Sequence, residues 1–120
     1  MKFTASSICH EISAVLHGVD KKLINDSNFL KNIIIDGLKK DNFKILKEVD
    51  YKFSPQGYTL TVLLSESHVA IHTYPEHDSI YFGLYSCKAK GHGKKTYEHF
   101  VKNLKPKDVV VDMRDVIVKK

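Results

Sequence analysis

A dense run of reactive side chains, Ser65-Glu66-Ser67-His68-Val69-Ala70-Ile71-His72-Thr73-Tyr74-Pro75-Glu76, is followed eleven residues later by Cys87. Strands normally give alternate positions to core packing, so hydroxyls, imidazoles, carboxylates and a thiol crowded into β-rich sequence point to chemistry. On a strand from Ser67 to Tyr74, His68, Ala70, His72 and Tyr74 share one face, and Ser67, Val69, Ile71 and Thr73 share the other. Ser67 stands at a corner joining two strands, where a peptide can be held distorted. A serine hydroxyl there can attack the carbonyl before it and turn the Glu66-Ser67 amide into an ester, provided neighbouring groups move the proton. His72 and the hydroxyls of Thr59, Ser65 and Thr73 are candidates for that help.

The scaffold follows from periodicity. Glu11 to His17 alternates as a strand with Ile12, Ala14 and Leu16 on one face. Asp26-Ser27 suits a helix N-cap, and Phe29, Leu30, Ile33, Ile34 and Leu38 then recur at helical spacing until Asp41-Asn42. Phe43 to Phe53 reads as a strand, Ser54-Pro55-Gln56-Gly57 as a turn and Tyr58 to Leu64 as the next strand. His68 to Tyr74 and Ile80 to Cys87 complete three consecutive strands, and Lys88 to Gly93 is a polar loop. Tyr97, Phe100, Val101 and Leu104 mark an amphipathic helix stopped by Pro106, and Val109-Val110-Val111 opens a last strand. The missing polar alternation in that last strand predicts burial on both faces. The order β-α-β-β-β-β-α-β predicts an α+β two-layer sandwich, a mainly antiparallel sheet with helices on one face.

A chain of 120 residues is read as one domain, 1–120, and 42% apolar residues suffice for a core. No apolar run is long enough to span a bilayer, and the Met1–Ser7 segment lacks the apolar stretch of a signal peptide. The net charge of +5 comes from dispersed lysines rather than one basic face, which argues against nucleic acid as partner. Two cysteines, Cys9 and Cys87, make no disulfide framework, so a reducing cytoplasmic setting is expected, with Cys9 in packing. His68, His72, Glu76 and His77 lack zinc-ligand spacing, so no metal is expected. Gly91-His92-Gly93-Lys94-Lys95-Thr96 only echoes a phosphate loop, because position 88 is Lys and Lys95 follows the lysine. His10, His17, His92 and His99 receive no role.

Ser65-Glu66-Ser67-His68, Ile71-His72-Thr73, Pro75-Glu76 and Cys87, with five residues from Ser67 to His72 and twenty from Ser67 to Cys87, resemble the signature of the S-adenosylmethionine decarboxylase proenzymes. The short bacterial and archaeal form, which needs no metal, is most similar, across nearly the whole chain. The resemblance implies self-cleavage between Glu66 and Ser67, giving chains 1–66 and 67–120, with Ser67 becoming a pyruvoyl group. That group would form a Schiff base with the substrate amine and accept the electrons released as carbon dioxide leaves. On the same resemblance His72 assists proton transfer in processing, Cys87 donates a proton to the substrate carbon, and Thr59 stands where the family often has a processing serine. Phe53 corresponds to an aromatic that stacks on adenine, and Glu76 to a carboxylate on the ribose hydroxyls. A homodimer of cleaved protomers, with substrate pockets near the subunit interface, is the family's precedent.

Departures from the pattern are Tyr74 for a common tryptophan, Lys88 for a glycine, and Ile80-Tyr81-Phe82-Gly83 for small residues and an aspartate. They keep open a decarboxylase of arginine or ornithine on the same fold. An unprocessed regulatory paralogue, needing neither cleavage nor Cys87, is the non-enzymatic alternative.

Overall fold

Two-residue alternation makes the strands, and the covered positions carry the large aliphatic side chains. A computed structural model describes residues 7–87 and 92–119. Lys88, Gly91 and Lys120, together with residues 1–6 of the leading segment, lie outside the described residues. Strands β1 (Ile8–His17), β2 (Ile45–Lys52), β3 (Tyr58–Leu64), β4 (Ser67–Tyr74), β5 (Ser79–Ser86) and β6 (Asp108–Ile117) form one sheet in the order β2-β3-β4-β5-β1-β6. Every neighbouring pair is antiparallel. Helices α2 (Ser27–Lys40) and α3 (Lys94–Leu104) cover one face, and the expected two-layer α+β sandwich is what forms. Leu16, Leu60, Ile71, Phe82 and Leu84 meet Leu30, Ile34, Leu38, Phe100 and Leu104 in the core between the layers.

The helix boundaries have local causes. Asp26 caps α2 by accepting the Phe29 N–H at 3.0 Å, and Asp41 follows its last turn with Asn42 at φ 58°. A short helix α1 (Lys21–Ile24), absent from the sequence reading, is capped by Asp20, whose side chain accepts the Lys22 N–H. The two long helices touch at Gly37, where a Cβ would come within 3.0 Å of the Thr96 main chain. Thr96 presents its N–H and its hydroxyl to Asp41 Oδ2, both at 2.7 Å, and the hydroxyl also lies 3.0 Å from the Gly37 carbonyl. This buried polar clasp fixes α3 against the end of α2.

Two expectations are corrected. Val109-Val110-Val111 is not buried on both faces: β6 is an edge strand, with Val110 62% and Val111 43% exposed. Its valines report preference for pleated backbone, not burial. Cys9 is not a lone packing residue, because it is disulfide-bonded to Cys87. The β1 strand starts at Ile8 rather than Glu11, and continuing the His10↔Ser86 register by one pair sets Cys9 opposite Cys87, their Cα atoms 4.1 Å apart.

Replacing Asp41 by Ala leaves the buried Thr96 N–H without its acceptor, while the Thr96 hydroxyl keeps only the Gly37 carbonyl. We expect Asp41→Ala to lower unfolding free energy by about 1–3 kcal/mol in urea titration; an unchanged midpoint would show that the clasp contributes nothing.

Candidate active site

Ser67 is the first residue of β4 and faces the helix layer, 7% exposed. The bend at Ser65-Glu66 precedes it, and its hydroxyl accepts the Cys87 N–H at 3.3 Å. Beside it a cleft of about 400 Å³ takes in Glu66, Ser67, His68, Cys9 and Cys87. The Ser67↔Ser86 pair that ends the β4–β5 ladder thus sets Glu66, Ser67 and Cys87 side by side.

Behind Ser67 lies a polar row that the sequence reading left without roles. Ser86, fully buried, is directly opposite Ser67, and His10 is opposite Ser86 on β1. Ser86 Oγ is 3.2 Å from His92 Nδ1, while His92 Nε2 hydrogen-bonds the Asp41 carbonyl. A carbonyl can only accept, so Nε2 carries the proton, Nδ1 is the acceptor, and the Ser86 hydroxyl donates to it. His10 Nδ1 stands 2.8 Å from Asp115. Strand register was the signal that could have found this row, since it places residues far apart in sequence side by side.

His72 belongs to a second group on the uncovered face. Its Nδ1 lies 2.9 Å from the Thr59 hydroxyl of the facing strand, and the Tyr81 ring is 5.9 Å away on the other side. Tyr81 lies over Gly83, where any Cβ would collide with its hydroxyl, so the two departures from the family pattern fit each other. Phe53 follows β2 and is 51% exposed, with Tyr51 edge-on at 4.8 Å. Glu76 is exposed in the 3₁₀ turn Pro75–His77 at the far end of β4. Within one protomer, Ser67 and His72 are five residues apart on an extended strand, about 16 Å, and point to opposite faces. Thr73 does not reach Ser67 either, because its hydroxyl accepts the Tyr58 N–H at 2.8 Å.

A profile of the S-adenosylmethionine decarboxylase family matches residues 10–115. The chain belongs to that family. An S-adenosylmethionine decarboxylase proenzyme of Sulfurihydrogenibium is 37% identical over 82% of this chain and 74% of its own length. One of Brevibacillus brevis is 39% identical over 74% of this chain and 67% of its own. The crystal structure of the adenosylmethionine decarboxylase from Aquifex aeolicus superposes with a TM-score of 0.84 at 27% identity, covering 92% of this chain and 91% of that one. Proenzymes of this family form a pyruvoyl group from an internal serine by autocatalytic cleavage. The Ser65-Glu66-Ser67 corner fits such a group: the bend precedes a serine whose oxygen is already held by a main-chain donor.

Near the Phe53 turn, Tyr58 is buried and donates its hydroxyl to Asp50 at 2.7 Å. Burial first, then the hydrogen bond and charge of Asp50, hold its pKa above the ordinary 10.0. The folded state therefore keeps a proton that the unfolded chain loses near pH 10, and stability present below that pH falls as pH rises above it. Urea midpoints at about pH 9 and about pH 11 should drop more steeply for wild type than for Tyr58→Phe. Equal slopes would remove Tyr58 from the alkaline transition.

Proposed function

We propose that this chain is a self-processing, pyruvoyl-dependent decarboxylase of S-adenosylmethionine, cut between Glu66 and Ser67. The observation that carries the reading is the Ser67–Cys87 pairing at a strand corner, in a chain whose relatives are named proenzymes of that activity. When formed, the pyruvoyl group supplies an electron sink for loss of carbon dioxide. The chain's own residues supply the rest. The Ser67 oxygen attacks the Glu66 carbonyl, with the Cys87 N–H helping to hold that oxygen in place. Cys87 gives a proton to the substrate carbon once the carboxylate has left. Phe53 offers an exposed ring for adenine, and Glu76 a carboxylate for the ribose hydroxyls. This pairing of aromatic and carboxylate favours S-adenosylmethionine over arginine or ornithine.

The site is completed by a second copy. Ser67 and Cys87 sit at one end of the sheet, while Phe53, Thr59, His72 and Glu76 sit toward the other. The two ends stand about 16 Å apart along β4. The uncovered face presents Val49, Tyr51, Leu63, Tyr74 and Val110 to solvent, and no helix among the described residues lies over it. Two such faces packed about a two-fold axis bury this surface and bring one protomer's His72–Thr59 pair to its partner's Ser67–Cys87 end. We place the dimer in the cytoplasm; no helix among the described residues is long and apolar enough to cross a membrane.

Intact mass under denaturing, reducing conditions should show fragments 1–66 and 67–120 for wild type and one chain of 13.7 kDa for Ser67→Ala. A wild-type chain that stays whole would sink the reading. For the shared site, Cys87→Ser and Glu76→Gln should each lose at least tenfold in carbon dioxide release. Their co-expression should restore about a quarter of wild-type turnover, since half the dimers are hybrids with one intact site. No restoration would place both residues in a site within one protomer.

A further inference from the structure

We infer that Cys87 is a site of reversible oxidation, with Cys9 as its resolving partner, and that the bridge between them switches decarboxylation off. The inference rests on the reading of Cys87 as proton donor. Cys9 is 1% exposed and bonded to Cys87, and the β1–β5 register holds the two opposite one another without any loop having to move. Cys87 is the half-buried member and borders the cleft that also takes in Glu66 and Ser67. Both sulfurs border that cleft, and the more exposed Cys87 is the one a small oxidant meets first, with Cys9 almost wholly covered behind it.

The oxidant is a hydroperoxide. The Cys87 thiolate attacks the peroxide, an S–O bond forms as the O–O bond breaks, and after protonation one water leaves. The Cys9 sulfur then attacks the Cys87 sulfenic acid, the S–S bond forms as the S–O bond breaks, and the second water leaves. Two thiols give up two electrons and two protons, and hydrogen peroxide takes them up as two waters. Cys87 in the bridge has no proton to donate. Reduction by a dithiol returns it.

Cleavage at Glu66-Ser67 supplies a direct readout, because Cys9 then lies in chain 1–66 and Cys87 in chain 67–120. Bridged enzyme migrates as one band without reductant and as two with it. The experiment takes processed enzyme reduced beforehand, adds a severalfold molar excess of hydrogen peroxide, and follows both migration and carbon dioxide release before and after dithiothreitol. Wild type should join its chains, lose turnover at least tenfold, and regain both properties on reduction. Cys9→Ala should start with wild-type turnover, never join, and lose activity that dithiothreitol does not return, as its unprotected thiol oxidises further.

Joined chains with undiminished turnover would overturn the switch. So would a Cys9→Ala enzyme that recovers on reduction as wild type does. A Cys87→Ser variant turning over like wild type would instead overturn the proton-donor reading, and the switch with it, whether or not wild-type chains join.

Discussion

A β-strand advances a little over 3 Å per residue and turns successive side chains to opposite faces. In β4 that geometry leaves no freedom: Ser67 is committed to the helix-covered face and His72 to the uncovered one, at opposite ends of the strand. The ladders on either side copy the arrangement outward. Ser67, Ser86 and His10 line up across three strands at one level, and Tyr51, Thr59, His72 and Tyr81 across four at another. The sheet thus carries two polar levels, separate from each other. A chemistry that needs both must bring the second level from outside the protomer, and the uncovered face is where it can arrive.

The helix layer holds the Ser67 level from behind. His92 spans from Ser86 to the Asp41 carbonyl, and Asp41 also holds Thr96 at the start of α3. One residue at the end of α2 therefore positions both the helix that follows the loop and the imidazole that backs the serine row. The Phe43 ring lies 4.0 Å from that imidazole and keeps one side of it apolar. Core packing and site geometry meet at Asp41.

Where local chemistry decides, the sequence was readable. Tyr58–Leu64 is legible residue for residue from its β-rich alternation, and the cap at Asp26-Ser27 from its place before the apolar helical repeat, with Asp26 the residue that accepts the Phe29 N–H. Ser67, Glu66 and Cys87 were read together, and the structure brings them together. What escaped depends on pairing across distance. Nothing near Val109-Val110-Val111 says that β1 will slip between β5 and β6 and leave it at an edge. Cys9 and Cys87 are separated by 78 positions, and only register makes them neighbours. Ser86 escaped for the same reason, being set opposite Ser67 only by register, and His92 meets it across the loop that follows β5. Helix α1 is too short to show a periodicity of its own.

The sheet order has a last consequence for the proposed cut. A break after Glu66 leaves β1, β2 and β3 on one piece and β4, β5 and β6 on the other. In space these alternate, because β1 is threaded between β5 and β6 while β3 lies against β4. Neither piece owns a complete sheet, and neither can leave without opening three ladders at once. A chain severed there would be held by interlacing, with no peptide link needed. Its assembly, however, runs one way in practice: an intact chain folds as a single molecule at any dilution, whereas two separated pieces must find each other, at a rate that falls as they are diluted. A cut made at that bond only after folding would keep every molecule's structure independent of concentration.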